Sequence, residues 1–87
     1  MSHHFTRTRG VGDPARARHA YPYTIRITVA ETGVWYEATG TMRADRPLTA
    51  RQIKQRAIND LVAEANTEYR AGITASTVVS LDFTITR

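Results

Sequence analysis

The chain has no cysteine, one lysine and no long hydrophobic run. The first absence excludes disulfides, thiolate metal sites and a cysteine nucleophile. The last excludes a helical membrane span, which needs roughly 20 consecutive apolar residues. Residues 1–9 also lack the apolar core of a secretory signal, so a cytoplasmic location is expected. Histidine is confined to His3, His4 and His19. All three fall in a segment that reads as flexible, and a flexible side chain is not held in productive geometry. A His3/His4/His19 metal site is accordingly not expected. Ser2, Ser76 and Ser80 have no histidine near them in the fold read below. Gly10-Val11-Gly12 lacks the preceding strand and following helix of a phosphate-cradling loop. With no catalytic set, the chain reads as a non-enzyme without cofactor or metal.

What remains is small and basic. A length of 87 residues allows one domain at most. The net charge is +4, with an isoelectric point near 10.1. Eleven of the twelve basic residues are arginine, a bias that a GC-rich genome explains more simply than selection for phosphate contacts. Residues 1–20 hold Arg7, Arg9, Arg16 and Arg18 against Asp13, a net of +3. Phe5 and Val11 are the only large apolar side chains there, and Gly10, Gly12 and Pro14 punctuate the segment. So little apolar surface does not offset ordering entropy, which predicts a flexible basic arm over 1–20 ahead of a single domain over 21–87.

That domain shows three strands and a helix. Tyr23, Ile25, Ile27 and Val29 alternate with Thr24, Arg26 and Thr28, predicting a strand over 21–30. A second strand covers 34–42, with Val34, Tyr36, Ala38 and Met42 on its apolar face. Glu31-Thr32-Gly33 supplies the turn. Matching the apolar faces requires paired numbers with an odd sum, hence a two- or four-residue loop. Val29 opposite Tyr36 and Ile27 opposite Ala38 satisfy this, and place Gly40 opposite Ile25, where a missing side chain lets the helix approach. The last strand covers 77–86, with Val79, Leu81, Phe83 and Ile85 inward.

The helix is predicted over 50–71. Thr49 and Gln52 form a capping box, Leu48 and Ile53 a hydrophobic staple, and Gly72 stands just past the end. Ile53, Ala57, Ile58, Leu61, Val62, Ala65 and Tyr69 form the apolar stripe. The expected fold is α+β: a three-stranded sheet of order 2-1-3 and topology β-β-α-β, with one helix on one face.

The helix carries its charges against its dipole. Arg51, Lys54 and Arg56 occupy its start, preceded by Arg43 and Arg46, while Asp60, Glu64 and Glu68 lie toward its negative end. Each such reversal costs roughly 0.3–1 kcal/mol when exposed. An arrangement that opposes local stability points to an anionic ligand at the helix start. Asp60, Glu64 and Glu68 themselves read as a solvated face, with Arg56 four residues before Asp60.

Two functions fit. In the first, a small accessory protein binds a polyanion, nucleic acid in particular. Arg7, Arg9, Arg16 and Arg18 give a loose grip, and Arg43, Arg46, Arg51, Lys54 and Arg56 give positioned phosphate contacts. In the second, the chain is a protein-interaction module or homo-oligomeric assembly subunit using its sheet edges and Trp35. The small core, the bare outer sheet face and the long edges favour this. The arginine bias and short length suit a phage or mobile element in either case. The outer face is threonine-rich and lacks the adjacent aromatics of an RNA-stacking sheet.

Overall fold

A computed structural model describes residues 2–30, 32–74 and 77–85, together with their side chains except those of Ser2 and Val79. The expectations for Glu31, Ser76, Thr86 and the Val79 side chain fall outside the described residues. The elements are β1 (Ser2–Val11), a 3₁₀ turn (Pro14–Arg16), β2 (His19–Val29), β3 (Trp35–Ala44), α1 (Ala50–Tyr69) and β4 (Val78–Ile85). They form one four-stranded mixed sheet of order β1-β3-β2-β4 with a single helix.

The order β3-β2-β4 is the one read from the sequence, with β2 central and antiparallel to both neighbours. The sheet has four strands, however, not three. Residues 2–11, assigned above to a flexible arm, form β1 and pair in parallel with β3 along its whole length, from Ser2 opposite Trp35 to Val11 opposite Ala44. The composition of the segment understated its gain in order. Parallel pairing satisfies its backbone, Phe5 enters the core at 7% exposure, and its arginines find carboxylates. His3 and His4 are therefore held on a strand. Gly10-Val11-Gly12 follows a strand after all, but leads into a 3₁₀ turn rather than a helix.

The β2–β3 hairpin closes through a four-residue loop. Val29 N–H donates to Val34 O at 2.9 Å and Gly33 N–H to Val29 O at 3.0 Å, with Gly33 at φ 69°. The parity was read correctly, so Ile25, Ile27, Tyr36 and Ala38 share the inner face. The pairs themselves are displaced by two: Ile27 lies opposite Tyr36 and Ile25 opposite Ala38. Gly40 therefore faces Tyr23 on one side and Arg7 on the other. A Cβ built on Gly40 would overlap the Arg7 carbonyl. The missing side chain admits β1, not the helix.

Thr49 caps α1 as expected. Its Oγ1 accepts from Gln52 N–H at 3.1 Å, and Gln52 Oε1 accepts from Thr49 N–H at 2.8 Å. The far end comes sooner than Gly72: Arg70 adopts the left-handed conformation at φ 50°, and Asn66 holds the exit by exchanging hydrogen bonds with Ile73 N–H and O at 2.7 and 3.1 Å. Ile53, Ala57, Leu61 and Ala65 are buried against Tyr23, Ile25, Ile27, Tyr36, Ala38 and Met42. Burying a large apolar side chain stabilises by roughly 1.5–3 kcal/mol, so the five fully buried ones, Ile25, Ile27, Met42, Ile53 and Leu61, anchor the fold.

Because Gly40 seats β1, Gly40→Ala is expected to cost about 1–3 kcal/mol in denaturant unfolding. Amide exchange should quicken in β1 while the β2–β3 ladder keeps its protection.

Candidate anion-binding site

The nine predicted anion-binding residues divide into two groups. Arg7 and Arg9 lie on the inner face of β1, where alternation carries them over the helix with Phe5 and Val11. Arg7 Nε is 3.4 Å from Glu64 and its Nη2 is 3.4 Å from Glu68. Arg9 Nη2 contacts Glu64, and its Nε lies 3.5 Å from Asp60 Oδ2, too loosely aligned for a hydrogen bond. Arg56 Nε approaches the same Asp60 oxygen at 3.6 Å. Three cations and three carboxylates thus neutralise one another between β1 and the helix flank. The carboxylates are not a solvated face. They are the counter-charges of the first strand, and Glu64 is only 15% exposed. Tyr23 lies beneath them. Burial pushes its phenol above the ordinary 10.0, Asp60 adds to the rise and Arg9 opposes it.

The second group gathers at one end of the sheet, where β1 and β3 finish and β2 and α1 begin. Two aspartates tie the loops there: Asp45 Oδ2 accepts from Asp13 N–H at 2.8 Å, and Asp13 Oδ1 accepts from Ala15 N–H at 3.0 Å. Gly12 permits this at φ 82°, since a side chain would collide with the Asp45 carboxylate. Tyr21 Oη accepts from Leu48 N–H at 3.0 Å and fixes the approach to the helix. Arg46 lies 3.2 Å from Asp45, and Arg16 lies 3.9 Å from Asp13. Arg43, on the outer face, donates to Ala17 O at 3.4 Å. Among the described residues, Arg18, Arg43, Arg51, Lys54 and Arg70 have no carboxylate partner, and all but Arg70 belong to this end. Arg51 and Lys54 stand exposed in the first turns of α1, which contain no acidic residue in the first turn. A groove of about 310 Å³ runs alongside, lined by Val11, Arg46, Leu48, Gln52 and Arg56 among others.

Trp35 is not a free anchor. The Arg26 guanidinium covers its ring at 4.1 Å and donates to Glu37 at 2.9 and 3.1 Å, while His4 Nδ1 meets the other Glu37 oxygen at 3.1 Å. The remaining histidines are separated: His3 stacks on Tyr69 and Tyr36, and His19 on Tyr21. Among the described residues no three His, Asp or Glu side chains come together in a metal-holding group, and no helix is long and apolar enough to cross a membrane.

The carboxylate role escaped the sequence reading, although a signal was present. His3, Phe5, Arg7, Arg9 and Val11 alternate with His4, Thr6 and Thr8, a strand pattern whose inner face mixes apolar and basic residues. Acids four apart on a helix then make a matching row. Comparisons with protein-family models, with curated proteins and with solved structures find no match.

The two acids bridging Arg7 should be unequal. Glu64→Gln is expected to cost about 1–2 kcal/mol, because it leaves Arg7 and the half-buried Arg9 without the carboxylate they share. Glu68→Gln, at a site 48% exposed, should be close to neutral in the same unfolding assay.

Proposed function

We propose that the protein is a small non-catalytic accessory protein that binds a polyanion, nucleic acid in particular, through the end of the sheet bearing Arg18, Arg43, Arg51 and Lys54. The observation that carries this reading is the partition of charge. The acids of α1 are spent on Arg7, Arg9 and Arg56, and the helix start keeps cations with no carboxylate beside them. A helix N-terminus is a positive pole, so leaving Arg51 and Lys54 there unneutralised opposes local stability and favours an incoming phosphate. Arg16 and Arg46 reach only their structural aspartates and keep exposed heads, which suits secondary contacts. Arg7, Arg9 and Arg56 leave the proposed contact set. The grip is by charge, not by base stacking, since the outer face offers Thr24, Thr28, Thr39 and Thr41 and its one indole is covered by Arg26.

The competing reading, a protein-interaction module, loses Trp35 as an anchor for the same reason. What supports it is the β4 edge, which is compatible with anion binding at the other site.

About four phosphate contacts predict that log affinity falls with log salt at a slope near −3 to −4. Arg51→Glu combined with Lys54→Glu should weaken binding to a short duplex, flatten that slope by about two, and leave the melting temperature equal or higher. Arg7→Gln should leave the slope unchanged. Absence of binding by the wild type at low salt, or binding unaltered in the double variant, overturns the reading.

A further inference from the structure

The helix packs on β3 and β2, the two central strands, and is tied to the β1 side by ion pairs. Its two flanks differ accordingly. Asp60, Glu64 and Glu68 face β1, whereas Ile58 and Val62 face β4 across a groove of about 360 Å³ that Ala63, Thr74 and Val78 also line. Leu81, Phe83 and Ile85 of β4 pack against the core yet stay only partly buried. β4 is also an edge strand with one free side. Among its described side chains it carries a single charge, Asp82, and it has neither lysine nor proline to guard it. Asp82 sits opposite Arg26 on β2, so the charges among the described side chains of this edge balance, although the whole chain is at +4.

We infer that the β4 edge is the interface for a second copy of this chain, the two β4 strands pairing antiparallel about a two-fold axis. Three observations select a copy of the chain. The first is charge: two molecules of net +4 meet with less repulsion at an edge whose described charges balance. The second is self-complementarity. A two-fold centred on Leu81 or on Phe83 sets inward residues beside inward residues. It also sets each Asp82 opposite a hydroxyl residue of the other copy, Ser80 or Thr84 respectively, so that no acid meets an acid. The third is size. Eight strand residues span about 26 Å. With short axes of 22 and 19 Å, that wall projects to roughly 500 Å² per partner, about 1,000 Å² in total, which reaches the lower bound of a specific interface and fits a weak dimer. This interface uses none of the cations of the proposed anion site, so either can fail alone.

Sedimentation velocity of the full chain, without nucleic acid and over a concentration series reaching millimolar, is expected to show a monomer–dimer equilibrium. Ser80 and Thr84 are exposed on the outer face, so substitutions there leave the core intact. Ser80→Asp combined with Thr84→Asp puts acid opposite Asp82 in either register and should raise the dissociation constant by roughly tenfold or more. Ser80→Lys combined with Thr84→Lys makes the same pairs attractive and should retain or tighten the dimer. A wild type that stays monomeric throughout the series, or a dimer indifferent to the aspartate pair, overturns the inference.

Discussion

The first strand is held to the helix by opposite charges, and much of the molecule follows from that contact. A parallel edge strand with one core side chain, Phe5, gains little from burial alone. Arg7 and Arg9 add a second attachment by reaching Asp60, Glu64 and Glu68 across the layer gap. Half-buried pairs of this kind are worth more than surface ones, because fewer waters screen them and Glu64 serves two guanidinium groups. At the other end of the strand, His3 stacks on Tyr69, the one large apolar side chain of the helix left substantially exposed. The strand is therefore fastened at both ends by side chains and along its length by the ladder.

Ion pairing between β1 and one flank of the helix leaves its two sides different in character. On the near side it neutralises three of the twelve basic groups, so the excess charge of the chain is redistributed toward the helix start. There the reciprocal Thr49–Gln52 cap and the Asp13–Asp45 loop contacts hold the backbone despite an unfavourable dipole. On the far side Ile58 and Val62 line a groove beside β4, whose Leu81, Phe83 and Ile85 stay partly buried. One set of ion pairs thus accounts for the location of the unneutralised cations.

The parts of the fold written in local pattern were legible. Period-two alternation identified β2, β3 and β4 and the face each buries, and the cap residues located the helix start to the residue. The central place of β2 followed from its being the most regular apolar strand. Features set by distant partners were not legible. Residues 2–11 look disordered when only hydrophobicity is weighed, because Arg7 and Arg9 take the positions where a core strand carries valine. Their ordering depends on acids more than 50 residues away, and nothing local announces that match. The hairpin register slipped by two for a related reason: parity is set by faces, but the choice among registers of equal parity is made by the loop and by β1 meeting Gly40. The placement of the basic residues was legible in part: Arg43, Arg46, Arg51 and Lys54 stand near the helix start, whereas the pairing of Arg7, Arg9 and Arg56 with Asp60, Glu64 and Glu68 was not.

The central claim is that the basic residues have divided labour, some closing the structure and others left for an anion. Backbone amide chemical shifts recorded during titration with a short duplex test it most directly. The account predicts movement confined to Arg18, Arg43, Arg51, Lys54 and their neighbours, with Phe5 through Arg9 and Asp60 through Glu68 unmoved. Shifts centred on β1 and the acidic flank of the helix would contradict it, because they would mean that phosphate competes for the arginines that hold the first strand in place.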